Sequence, residues 1–133
     1  LFAQPDGTHC AANQVLYNVG SRGIEYDLLP LMRQHQIPVM AYCPLAQAGR
    51  LRRGLLNHPA LRQIAGEHHA TVPQILLAFL LAQPGVLPIP RTGSAQHAQQ
   101  NAAAAEIRLS AEELALLDAA FPKPKRKTRL EIV

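Results

Sequence analysis

The stretch VLPIPRTGSAQHAQQN, residues 86 to 101, sets a guanidinium and two hydroxyl groups where the chain changes character. An apolar run from Val86 to Ile89 stops at Pro90 and gives way to Arg91, Thr92, Gly93 and Ser94. The chain resumes as a polar, helix-compatible segment from Ala95 to Asn101. A helix beginning near Ala95 would present unpaired N–H groups and a partial positive charge beside those side chains, which suits a phosphate. Gly93 would let the backbone approach such a group closely. The competing reading is a surface helix cap with polar neighbours.

The other reactive residue types offer less. Cys10 and Cys43 are far apart with no CxxC spacing, so both are read as free thiols of a reducing compartment. The six histidines show neither HxxxH spacing nor a Cys-His cluster, and no metal site is expected. Neither Tyr17 nor Tyr42 has a feature that makes it a proton donor, and no catalytic residue is assigned.

These residues must be carried by a core, and 133 residues at 48% hydrophobic and 17% charged suffice for one ordinary domain. No run of about 18 apolar residues and no basic region followed by an apolar signal core occurs, so neither a membrane span nor a secretory leader is expected, and the expected location is cytoplasmic. The net charge of +4 is concentrated at one end: residues 1–122 hold eight Arg against eight acidic residues, whereas KPKRKTRLEIV holds five cations against Glu131. A nucleic-acid surface would call for aromatics beside such a patch. Residues 123–133 have none and are read as a solvated basic tail, with no nucleic-acid partner.

Three short apolar or β-favouring runs, residues 13–17, 37–43 and 86–89, are each followed by helical patterns. Ile24, Leu28, Leu31 and Met32 share one face, with Pro30 near a helix start or a kink. Leu61, Ile64 and Ala65 mark a second helix. Residues 71–85 read as a buried helix opened by Thr71 and Gln74 and stopped by Pro84-Gly85, and Ser110 with Glu113 opens a last one. Strand, helix, strand, helix pair, strand, helix, helix is an α/β order with parallel strands. Three such strands leave two bare edges, and a chain starting at Leu1 inside LFAQPDG suggests a fragment.

The pieces NQVLYN (13–18), MAYCPLAQAGRL (40–51), TVPQILLAFLLAQPGVLPIPRT (71–92), HAQQN (97–101) and LSAEELALLD (109–118) resemble, in order and spacing, the C-terminal part of the aldo-keto reductase family. The resemblance implies the C-terminal portion of a (β/α)8 TIM barrel, about strands six to eight with their helices. Residues 1–122 would form the partial barrel and 123–133 the tail. A complete barrel needs about 250 residues. The family's catalytic aspartate, tyrosine, lysine and histidine would lie on earlier strands.

What the resemblance assigns here is the cofactor side, NADP(H). Gln14 matches the glutamine that binds the nicotinamide carboxamide, and Tyr42 the aromatic that stacks on the nicotinamide face. Cys43 stands where the family often has serine at the pyrophosphate. Leu45 and Gln47 lie in the loop along the cofactor, while Gly49 reads as a turn residue. Arg91 takes the place of a lysine that meets the 2′-phosphate, with Thr92 and Ser94 beside it. His97 occupies a position often held by a phosphate-binding arginine. Gln100 and Asn101 match the pair on the adenine amide edge. The complete enzyme would then reduce a small-molecule carbonyl substrate, and this chain alone would be inactive. The rival reading is a noncatalytic α/β module that self-associates, or pairs with a separate N-terminal half, through its bare edges.

Overall fold

The computed structural model describes residue 3, residues 5–47 and residues 49–132, with Thr8 by its backbone alone. Strands β1 (Asn13–Leu16), β2 (Val39–Tyr42) and β3 (Val86–Pro88) form one parallel sheet in the order β1-β2-β3. Asn13 pairs with Val39 and Leu16 with Tyr42, while Val39 pairs with Val86 and Ala41 with Pro88. Among the described residues the outer edges of β1 and β3 have no strand partner.

Helices α1 (Leu28–Gln34), α2 (Arg50–Leu56), α3 (Pro59–Glu67), α4 (Val72–Leu81), α5 (Ala95–Ala103) and α6 (Ala111–Ala120) fill the connections. Because parallel neighbours in register share a face, Val15, Tyr17, Val39, Ala41 and Val86 line up on one side of the sheet. They pack with Ile64, Ile75, Leu76 and Phe79 of α3 and α4. Six consecutive residues of α4, Ile75 to Leu80, are buried, as suits a helix apolar on all sides. The opposite face carries Gln14, Met40, Tyr42 and Leu87, the last 53% exposed.

Helix starts follow their sequence signals. At α4 the Thr71 N–H donates to Gln74 Oε1 at 2.9 Å. At α6 the Glu113 N–H donates to Ser110 Oγ at 3.2 Å, and the Ser110 N–H to Glu113 Oε2 at 2.6 Å. Each pairing satisfies N–H groups that the helix leaves free. The second α6 carboxylate oxygen meets His68 Nε2 at 2.7 Å, which ties α6 to the end of α3.

Two expectations need correction. The segment 24–36 is two pieces: a 3₁₀ turn at Gly23–Glu25, and α1 with Pro30 in its first turn, where a missing N–H costs nothing. Leu29 and Met32 therefore face the core, while Leu31 is 38% exposed. Helix α2 has no counterpart in the expected order. Residues 123–132 are exposed apart from half-buried Pro124, and they also meet the fold: Lys123 lies 3.0 Å from Asp118, Lys127 lies 2.9 Å from Asp27, and a Cβ on Gly23 would sit 2.6 Å from Thr128 Oγ1. The tail also walls a cavity of about 320 Å³ with Leu16, Ile24, Leu28 and Leu31.

Candidate functional site

Since all three strands run the same way, their C-terminal ends share one rim, and the loops that follow must meet there. That rim receives the turn after β1, the loop Cys43–Gln47 after β2, and residues Ile89–Ser94 leading into α5. Gln14 is exposed and Tyr42 half-buried on the sheet face away from the helices, on adjacent strands and two residues apart in register. An amide offering both donor and acceptor beside an aromatic plane suits a flat, amide-bearing ring.

Tyr17 points the other way. Its ring is fully buried against Phe79, and its hydroxyl donates to Glu25 Oε1 at 2.6 Å. Burial first, and the Glu25 carboxylate second, hold its pKa well above the usual phenol range. This tyrosine is a structural donor and not an acid for chemistry.

The loop after β2 is a tight turn. The Ala46 N–H donates to the Cys43 carbonyl at 2.9 Å, with Pro44 and Leu45 between them. Cys43 and Ala46 both adopt left-handed backbone, at φ +48° and +58°. Leu45 is half-buried, with part of its side chain packed against the hydrophobic core. Gln47 is exposed and lines a shallow cavity with Leu16, Asn18, Ser21, Leu51, Glu131 and Ile132. Gly49, at φ +116°, makes the bend into α2.

At the third strand the ladder ends where proline ends it. Ile89 N–H still donates to the Ala41 carbonyl at 3.1 Å, and Pro90 has no N–H to continue. Arg91 follows, exposed, and forms no hydrogen bond or ion pair with another described residue. Thr92 Oγ1 accepts the Ser94 N–H at 3.1 Å, and Ser94 Oγ accepts the His97 N–H at 3.4 Å. Each hydroxyl is thus an acceptor toward its own backbone and keeps its proton free to donate outward. A Cβ on Gly93 would meet nothing within 4 Å. His97 is exposed on the first turn of α5; Gln100 and Asn101 are half-buried further along. The Gln74 side chain donates to the Gln100 carbonyl at 3.1 Å and moors α5 to α4.

A guanidinium, two outward hydroxyls and a helix start of which Ser94 caps only the His97 N–H have the donor chemistry for an anion. Gln14 and Tyr42 form a second set, for a planar group, on the open face of the same sheet. Together the donor chemistry fits a molecule with a ring amide at one end and phosphate at the other. Among the described residues no group of three or more His, Cys, Asp or Glu could hold a metal ion. No described helix is long and apolar enough to cross a membrane.

Residues 4–121 match the model of the aldo/keto reductase family. The chain belongs to that family. Methylglyoxal reductase YeaE of Escherichia coli is 55% identical to this aldo/keto reductase chain over 133 residues, all of the chain and 47% of the relative. An aldo-keto reductase from Klebsiella pneumoniae, crystallised with NADPH, superposes with a TM-score of 0.95 at 58% identity and covers 99% of this chain and 46% of its own. A second structure from that organism, with NADP and acetate, gives the same TM-score of 0.95, covering 100% and 47%. The aldo/keto reductase chain therefore spans about half the length of the relatives it matches.

Sequence reasoning missed Asn18, Arg22, Glu25 and Asp118. Asn18 is 1% exposed and reaches from the β1 turn to the loop after β2. Arg22 is 5% exposed and binds Glu25, Asp118 and the Phe121 carbonyl. A polar residue one step beyond a strand was the available signal for Asn18. The charged set carries no spacing signal, because its members lie on separate elements.

Proposed function

We propose that the chain is the cofactor-binding C-terminal part, about barrel strands six to eight, of an NADP-dependent aldo-keto reductase, with residues 123–133 as its tail. The observation that carries this is that the loop Cys43–Gln47 and the Ile89–Ser94 segment follow the C-terminal ends of neighbouring parallel strands, whose open face carries Gln14 and Tyr42. Relatives at 58% identity hold NADPH and NADP. In barrel enzymes that rim is the active face.

When bound, NADPH supplies a hydride to the carbonyl carbon of an aldehyde or ketone. Gln14 holds the carboxamide through its amide, and the Tyr42 ring lies flat on one nicotinamide face, so that only the other face meets substrate. The turn at Cys43 offers backbone N–H to the pyrophosphate. Arg91 and the α5 start hold the 2′-phosphate, with Thr92 and Ser94 donating hydroxyls. His97 stands next to them, and Gln100 and Asn101 face the adenine. Proton transfer to the substrate oxygen falls to a residue outside these 133.

The test compares two preparations, each mixed with NADPH and methylglyoxal and followed by loss of NADPH absorbance. The complete enzyme containing this half is expected to turn over, and the 133-residue chain to stay at background. Turnover by the 133-residue chain alone sinks the division of labour; none by the complete enzyme sinks the carbonyl reductase.

A second reading, a noncatalytic module that self-associates or pairs with a separate N-terminal half, is favoured by the open sheet face with Leu87 53% exposed. Sedimentation of the 133-residue chain at micromolar concentration is then expected to give a dimer or larger. A folded monomer removes this reading.

A further inference from the structure

The side chain that shapes the cofactor loop belongs to the neighbouring strand's turn. Asn18 lies two residues beyond β1, 1% exposed, and its amide bonds in two directions. Its Oδ1 accepts the Gly20 N–H at 3.0 Å, and its backbone closes a two-way bridge with Ser21. Its Nδ2 donates across to the Cys43 carbonyl at 3.1 Å. One amide therefore closes its own turn and reaches the next loop.

The Cys43 carbonyl is the first oxygen of the turn Cys43–Ala46 and accepts a second bond, from the Ala46 N–H at 2.9 Å. That turn starts and ends on non-glycine residues with left-handed backbone, Cys43 at φ +48° and Ala46 at +58°. Such backbone costs about 1–2 kcal/mol per residue and persists only where the surroundings hold it. Pro44 brings no N–H, and the Ala46 N–H is spent on the turn. Between the two end residues of the turn, Leu45 thus carries the one N–H, and the turn itself does not use it. Its direction depends on the peptide planes of the turn, and those depend on where the Cys43 carbonyl is held.

We propose that Asn18 is a positioning residue for the cofactor: by holding the Cys43 carbonyl it aims the turn after β2 at the bound dinucleotide. The inference rests on the proposed function, because it takes that turn to lie along the cofactor. It adds a residue that touches neither cofactor nor substrate and acts through a single hydrogen bond.

Asn18→Asp separates the two halves of the amide. A carboxylate of the same shape still accepts from Gly20, but it loses the donor and sets an oxygen against the Cys43 carbonyl. In the complete reductase the NADPH dissociation constant, measured by calorimetry, is expected to rise about tenfold, the effect of losing one such bond. The carbonyl substrate KM at saturating NADPH is expected to stay within twofold. Asn18→Ala removes both bonds without burying a charge and carries the test if the aspartate variant does not fold. Folding is followed by circular dichroism and binding by stoichiometry, so that only folded protein is counted.

A weakened NADPH affinity with an unmoved substrate KM supports the role. Folded variants that bind NADPH within twofold of wild type overturn it, whatever their melting temperature. An equal rise in both constants also overturns it, because that marks general loosening of the rim. A wild-type enzyme that binds no NADPH would instead overturn the proposed function, and this role with it.

Discussion

Replacing Arg22 by alanine is expected to destabilise the fold by about 3–5 kcal/mol, the usual cost of removing one partner from a buried ion pair. The Arg22 side chain is 3% exposed; its Nε and Nη2 donate to the two Glu25 carboxylate oxygens at 2.7 and 2.8 Å. Nη2 also lies 2.8 Å from Asp118 Oδ1, and Nη1 donates to the Phe121 carbonyl at 2.6 Å. The guanidinium carbon stands 5.1 Å from the centre of the Phe79 ring. Alanine would leave the Glu25 carboxylate, 8% exposed, with only the Tyr17 hydroxyl among the described residues. Lysine would not repair it, since one ammonium cannot fork onto two carboxylates and a carbonyl. Urea unfolding followed by circular dichroism measures the change, and a loss below about 1 kcal/mol would mean that water replaces the guanidinium.

The same network predicts an acid sensitivity. Burial works against the charged form of Asp118, but Lys123 and Arg22 outweigh it and hold its pKa below the usual aspartate range. A carboxyl with a depressed folded pKa adds stability above its unfolded value of about 3.9, and that stability is lost as pH falls through the folded pKa. Asp118 is 39% exposed, so solvent screening keeps its share small. The Asp118→Asn variant should therefore fall slightly below wild type at neutral pH and converge with it in acid.

Local signals made much of this fold legible. Short apolar runs bounded by Pro and Gly gave the three strands, and the helix-opening pairs Thr71/Gln74 and Ser110/Glu113 sit where the helices start. Helix α2 was hidden because RLRRGLL has a glycine inside it, three arginines, and Gly49 in place of a capping side chain. The buried charges were hidden for a different reason. Arg22 and Asp118 are ordinary surface residue types until the chain brings α6 against the β1 turn, a contact between distant segments that no periodicity encodes. Leu45 shows the limit at the site itself: its position in the loop could be read from the sequence, but the burial of its side chain depended on the turn around it. Contacts of the tail with Asp27 and Gly23 are likewise tertiary, and a run of cations reads as solvated until an acidic partner is set beneath it.

The phosphate end of the junction gives the second large effect, and it discriminates between cofactors. Pro90 ends the β3 ladder, so Arg91 leaves the sheet at once, exposed beside the start of α5. In the proposed site a guanidinium there can fork onto the 2′-phosphate of NADPH and has no such partner in NADH. Hydrogen bonds to charged groups are worth about 1.5–3 kcal/mol, so Arg91→Ala in the complete enzyme should weaken NADPH about tenfold to a hundredfold. NADH should change less than about threefold. His97 supplies the converse variant. It lies exposed in the first turn of α5, with its backbone N–H capped by Ser94. A neutral imidazole is a poorer anion partner than a guanidinium, and His97→Arg should therefore tighten NADPH several-fold and leave NADH nearly unmoved. Calorimetry with both cofactors reads all four constants. A variant that shifts NADPH and NADH by the same factor would remove its residue from the 2′-phosphate. Opposite shifts in NADPH affinity from the two variants, each with NADH nearly flat, would be hard to obtain from any general loosening of α5, because the helix start and its Ser94 cap are common to both.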